Sequence, residues 1–179
     1  QPMPYQENLW ITFNGEIYNY KELKANLLAK GYAFQNETDT EVILAGYQAY
    51  GINFFKELKG MFAFALIDEK IKQTFLVRDG LGIKPLYYSV EANQLYFASE
   101  IKAFKAFDPA WPENNNWPIY FLSFGFIPTP YTTLANVYSL AKGHILIWDH
   151  STQQSKVKQF IEDYPVTVNT NETAAEKER

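Results

Sequence analysis

Leu9-Trp-Ile-Thr-Phe-Asn-Gly-Glu-Ile-Tyr-Asn-Tyr-Lys-Glu-Leu23 is an apolar run that breaks on Asn14-Gly15-Glu16 and passes into an amphipathic pattern. The stretch reads as strand 9–13, a bend, then a helix over 19–30. Asn-Gly takes positive φ with little strain, so a turn there would leave amide N–H groups pointing outward. The dipeptide alone also fits a hairpin turn. A hairpin requires a second alternating strand, whereas Leu23, Leu27 and Leu28 follow at helical spacing, with Asn19 placed as an N-cap and Gly31 as a stop.

The next decisive stretch is Met61–Ile67, in which Phe62, Phe64 and Leu66 alternate with Ala63 and Ala65. This is the pattern of a strand buried on both faces, with bulky side chains on one face and close approach on the other. Gln73–Val77, Leu86–Val90 and Gln94–Ala98 are expected to continue it as an antiparallel meander, because short polar connectors cannot make parallel crossovers. Between these strands and the first helix, Thr38 and Glu41 have capping-box spacing for a helix running to Gly51. Asp39 then falls in a first turn, where the helix dipole favours a carboxylate without any further role. The same group would be a fixed acceptor for a substrate ammonium if it bordered a site.

The remaining segments are a short helix over 52–58, another over 99–107, a loop over 111–117, an apolar segment over 117–126 and a last strand over 143–148. Residues 1–8 read as a loop, and the polar composition from His150 onward as a linker. Thr173 and Glu176 suggest a final helix cap. Arg78-Asp79-Gly-Leu-Gly82-Ile-Lys-Pro85 lacks the third glycine of a dinucleotide loop and the Lys-Ser/Thr of a phosphate loop. It reads instead as a structural turn in which Arg78 or Lys84 pairs with a carboxylate.

Composition narrows the function classes. The 179 residues are 47% hydrophobic and 17% aromatic, enough for one well-packed domain. A net charge of −4 without a basic stripe argues against nucleic acid. No apolar run reaches membrane-spanning length and Gln1-Pro-Met-Pro-Tyr5 is not a signal peptide, so a cytoplasmic protein without membrane contact is expected. There is no cysteine, which removes disulfides, thiolate metal sites and thiol nucleophiles from these residues. His144 and His150 have no accompanying carboxylate cluster, and no metal site is expected.

Taken in order, Gln1–Met3, Phe13–Tyr20, Thr38–Leu44, Leu58–Leu66, Arg78-Asp79 with Gly82–Tyr88, and Phe97–Ala103 resemble the glutamine-hydrolysing domain of asparagine synthetase, a type-2 glutamine amidotransferase. A looser likeness continues through Phe124–Pro128 and Leu140–Leu146. The resemblance implies an α+β fold, a four-layer αββα sandwich of antiparallel sheets of the N-terminal-nucleophile hydrolase type, incomplete at the N-terminus. It implies domain limits of 1–148 for the glutaminase and 149–179 for a linker and the start of an ATP-dependent synthetase domain.

By the same resemblance, Asn14 through its side-chain NH₂ and Gly15 through its backbone N–H form the oxyanion hole. Glu16 helps to hold the substrate glutamine and Asp39 binds its α-ammonium. The family's nucleophile is an N-terminal cysteine that precedes the Gln-Pro-Met segment, so the chain as given is expected to be inactive. No cofactor is expected in it; ATP and Mg²⁺ belong to the synthetase domain, the expected intramolecular partner, and a homodimer is left open. Two rival readings are a non-catalytic scaffold module of a related synthetase and an amidotransferase for a different acceptor. Gly80 stands where the family usually has a bulkier, often basic residue, and Ala141-Lys142 where it commonly has proline.

Overall fold

In the computed structural model, which describes residues 2–161, the alternating Phe/Ala strand is the middle of the molecule. Strand β3 (Gly60–Asp68) pairs with β2 (Leu9–Ile17) on one side and β4 (Gln73–Arg78) on the other. With β1 (Met3–Tyr5), β8 (His144–Asp149) and β9 (Gln154–Gln159), they form a six-stranded antiparallel sheet in the order β1-β2-β3-β4-β8-β9. A second sheet has the order β6-β5-β7, from β5 (Tyr87–Glu91), β6 (Gln94–Ala98) and β7 (Tyr138–Ser139).

The two faces of β3 have different neighbours. Phe62, Phe64 and Leu66 join Ile11, Phe13, Ile17, Phe75 and Val77 under α1 (Tyr20–Leu28), α2 (Asp39–Tyr50) and a 3₁₀ turn at Gly51–Glu57. The Phe55 ring meets Phe64 edge-on at 5.2 Å, an arrangement that adds about 0.5–1.5 kcal/mol to area burial. On the opposite face, Ala63 and Ala65 lie with Leu76, Leu146 and Trp148 against Leu86 and Leu140, flanked by Tyr88, Leu95 and Phe97. Small side chains there let the second sheet approach. Its outer face, through Tyr87, Tyr96 and Ala98, is covered by Phe104 of α3 (Lys102–Phe107) with Trp111, Leu134 and Val137. The layers are therefore helix, sheet, sheet, helix, as the αββα expectation required.

Several local expectations are corrected. The strand expected to end at Phe13 runs on to Ile17, because Asn14, Gly15 and Glu16 pair in register with Ala63, Phe62 and Met61. Residues 3–5, expected as loop, form an edge strand, where Pro4 costs little because an edge N–H need not join a ladder. Leu86–Val90 and Gln94–Ala98 leave the meander for the second sheet, and β8 takes the place beside β4. The linker expected from His150 is, up to residue 159, a turn and strand β9, whose Lys156 and Lys158 mark it as a charged edge. The Thr173–Glu176 cap and the rest of the expected linker lie outside the described residues.

Capping differs in detail too. Thr38 Oγ1 accepts the Glu41 N–H at 3.4 Å, as the box requires. The Glu41 carboxylate, however, accepts from Gln35 N and Asn36 N at 2.8 and 2.7 Å and so fastens the preceding loop. Asn19 does not cap α1; its side chain donates to Glu57 O and accepts from Lys59 N, both at 3.0 Å, and clamps the β2–α1 junction to the start of β3.

Candidate active site

At Gly15 the backbones of β2 and β3 lie too close for a side chain. Its φ is +152°, a region favoured by glycine, and a Cβ there would meet Met61 O at 2.1 Å. Gly60, opposite Ile17, is equally constrained, since a Cβ would meet Glu16 O at 2.1 Å. No side chain separates the two backbones.

The direction of the Gly15 N–H follows from the ladder. Tyr18 N donates to Lys59 O at 2.7 Å, so in this register the even-numbered residues of β2 are the ones that bond to β3. Gly15 and Ile17 turn their N–H groups to the other side, toward the edge covered by β1. That cover ends early, because β1 pairs only with Leu9, Trp10 and Ile11. Among the described residues, no strand lies opposite Gly15 there. The expected bend is absent, and the outward N–H arises from an edge position within a continuous strand.

The neighbouring groups gather at the same strand end. Asn14 is exposed on the sheet face turned toward the second sheet, and its Nδ2 donates to Ser99 Oγ at 3.3 Å. One amide proton is thus used to orient the group and the second remains for another acceptor. Asn14 and Ser99 border a cavity of about 150 Å³ with Thr12, Ala63, Leu86 and Phe97. From the other side, Asp39 Oδ2 accepts the Ile17 N–H at 3.0 Å, and Oδ1 accepts from Thr40 Oγ1 at 3.4 Å. Glu16 is exposed between Gly15 and Ile17, and neither it nor Asp39 lines the cavity.

All four expected site residues therefore lie at one end of β2. Sequence reading missed Ser99. It sits within the quoted Phe97–Ala103 motif, but only the fold reveals that it reaches Asn14 across the inter-sheet gap. The neighbouring turn is built differently from expectation. Asp79 is fully buried, and Arg78, expected to pair with a carboxylate, donates instead to Lys84 O at 2.8 Å, Gly82 O at 2.9 Å, Leu140 O at 2.6 Å and Ser139 Oγ at 3.1 Å. Burial pushes the guanidinium below its ordinary range, and nearby Asp79 counteracts this. Among the described residues, no three His, Asp or Glu side chains are grouped to hold a metal, and no helix is long and apolar enough to cross a membrane.

Two antiparallel sheets stacked between helices, with glycine-tight strands ending in backbone and amide donors, define an α+β sandwich of the N-terminal-nucleophile amidotransferase type. Glutamine phosphoribosylpyrophosphate amidotransferase of B. subtilis superposes on 90% of this chain and 32% of its own with a TM-score of 0.62 at 21% identity, a likeness of fold. Residues 1–161 match the family described as glutamine amidotransferase domain, and the chain belongs to that family. Asparagine synthetase [glutamine-hydrolyzing] 1 of Bacillus subtilis is 42% identical over 144 residues, 80% of this chain and 23% of that protein. Amidase chry2 of Gibberella zeae is 34% identical over 166 residues, 89% of this chain and 23% of that protein. The chain thus spans about a quarter or less of the length of these relatives.

Proposed function

We propose that this chain is the glutamine-hydrolysing part of a glutamine-dependent asparagine synthetase. The reading rests on the end of β2, which carries the Asn14 amide and an outward Gly15 N–H and to which the Asp39 carboxylate of α2 is bonded through Ile17 N. In it, Asn14 and Gly15 donate to the oxygen that gains negative charge when the substrate amide is attacked. Losing one such donor typically costs about 10²–10³ in rate. Asp39 and Glu16 hold the amino-acid end of glutamine. Ser99 is a positioning residue that keeps the Asn14 amide turned toward the cavity.

With no cysteine among the 179 residues, the attacking thiol would come from outside them. That sulfur would add to the side-chain carbonyl carbon, the C–N bond would break with release of ammonia, and water would hydrolyse the glutamyl thioester to glutamate. The complete protein would pass the ammonia to aspartate activated by ATP, with Mg²⁺, on a separate synthetase domain. In this reading both cofactors would be held by that domain. A second acceptor chemistry is kept because the relative called an amidase matches more of the chain than the synthetase does.

The test is glutamine hydrolysis by the 179-residue chain and by a longer form that begins at the native start. The longer form should hydrolyse glutamine and the shorter one should not. In the longer form, Asn14→Ala should lower kcat about 10²–10³-fold, and Ser99→Ala by a smaller factor with KM little changed. Hydrolysis by the short chain above amidase background, or an Asn14→Ala form with unchanged kcat, would overturn the reading.

A further inference from the structure

Among the described residues, helix α4 (Trp117–Phe124) is more apolar than any other helix, yet none of its residues is buried. Ile119, Phe121, Leu122 and Phe124, with Phe126 just beyond, are each more than half exposed, Leu122 to 84%. Isolated apolar side chains on a surface need no explanation, but a whole helix of them marks an interaction face. Every residue from Asn114 to Ala141 is uncharged. An interfacial membrane helix would display Lys or Arg on its polar face, so an anionic lipid surface is a poor match.

The helix is presented on a closed excursion. Asn114 N and Nδ2 donate to Thr133 O and Thr132 O, Ala135 N donates to Pro112 O, and Glu113 bridges Leu134. These bonds tie the neck shut and leave α4 standing outside the sandwich. The Tyr120 and Tyr131 rings stack at 5.1 Å and brace the tip on its return limb.

The last described residues lie at the root of that limb. Pro130 O accepts from Ser139 N at 2.8 Å, Ser139 Oγ accepts from Arg78, and Arg78 also grips Gly82 O in the turn over which Ile161 packs. A Cβ at Gly80 would lie 3.3 Å from Ile161 Cδ1. The same turn exposes Leu81 and Ile83. The last described residues therefore lie near the foot of the limb that carries α4, and the relatives have roughly four times the length of this chain.

We propose that α4, together with its return limb to Tyr131, is the docking surface for the remainder of a longer polypeptide, and that the partner is an apolar, uncharged flank of a second domain in the same chain. The proposal rests on the reading of this chain as one part of a synthetase-type protein. Burial of Leu122 and its neighbours there would fix the orientation of the glutaminase layers relative to that domain.

The test is amide hydrogen exchange over residues 117–131, measured in the full-length protein and in the 179-residue chain. Exchange should be at least tenfold slower in the full-length form at every protein concentration. Leu122→Glu, or Leu122→Ser as the milder change, should restore the fast rate in the full-length form while leaving glutamine hydrolysis intact. Equal rates in the two forms would overturn the proposal. So would slow exchange in the short chain that grows with its concentration, which would identify a second copy, or slow exchange only with lipid vesicles. Protection in a full-length protein that hydrolyses no glutamine would sink the functional reading and leave the docking surface standing.

Discussion

Asp39 accepts the main-chain N–H of Ile17 at 3.0 Å, so the first carboxylate of α2 is fastened to the last residue of β2. The bond accounts for the helix N-terminus being drawn to the strand end, and it explains Asp39 without any ligand. It also fixes a carboxylate at Ile17, two residues from Gly15, and the proposed function has that carboxylate receive the substrate ammonium.

Asp39→Asn separates these roles. The amide oxygen can still accept from Ile17, so stability should change by less than about 1 kcal/mol. The charge is lost, and a charge-assisted hydrogen bond to an ammonium is worth about 1.5–3 kcal/mol. In the full-length protein, KM for glutamine should therefore rise about 10- to 100-fold with kcat much less affected. An unchanged KM in steady-state kinetics would restrict Asp39 to holding the strand end.

Gly15→Ala should damage the fold as well as the site. A Cβ 2.1 Å from Met61 O, on a residue at φ +152°, forces β2 away from β3. Overpacking of this kind costs about 1–3 kcal/mol, and here the obstructing atom is backbone and cannot rotate aside. The urea midpoint of the 179-residue chain should fall accordingly. A midpoint equal to wild type would mean that the strands are less tightly apposed than described.

Alkaline stability should depend on Tyr47. Its hydroxyl donates to Asp68 Oδ2 at 2.8 Å in the core, and burial first, then the bond to Asp68, push its pKa well above the ordinary tyrosine value of 10.0. The folded state therefore holds this proton more tightly than the unfolded chain does. The stabilisation is complete below the unfolded value and is lost as pH rises from about 10 toward the folded value. Tyr47→Phe should lower stability by about 1 kcal/mol at neutral pH and flatten the decline above pH 10. Tyr5 and Tyr88, also raised by burial, contribute in the same direction, so the decisive quantity is the difference between mutant and wild-type denaturation curves across that range.

How far the fold was legible follows from where each pattern points. Phe62, Phe64 and Leu66 against Ala63 and Ala65 disclosed a strand between two unlike layers, because both faces are buried and both leave a mark. Asn14-Gly15 was legible as special but not as straight, since Asn-Gly has the same turn preference whether or not a partner strand holds it extended. Strand β9 was unreadable because its side chains are mostly exposed, and an edge strand in water has a linker's composition. α4 misleads in the opposite sense, with core composition on the surface. The link from Ser99 to Asn14 joins residues 85 apart in sequence and had no local signal at all.

Asp79 supplies the strictest test of the turn beside the site. Its carboxylate is wholly buried, and each oxygen receives two main-chain N–H groups. Oδ1 accepts from Leu81 and Ile83 at 3.0 Å, while Oδ2 accepts from Lys84 at 3.0 Å and Phe62 at 3.2 Å. The loop's donors are thus consumed internally, which is the physical reason it cannot cradle a phosphate despite its glycines. Asp79→Asn has no satisfactory orientation, because either rotamer sets an NH₂ against two N–H donors. The expected cost is about 3–5 kcal/mol, comparable to breaking a buried charge network. It should appear as a large fall in the urea midpoint, with faster amide exchange at Leu81, Ile83 and Lys84. A loss below about 1 kcal/mol would mean that water, rather than this carboxylate, satisfies the loop.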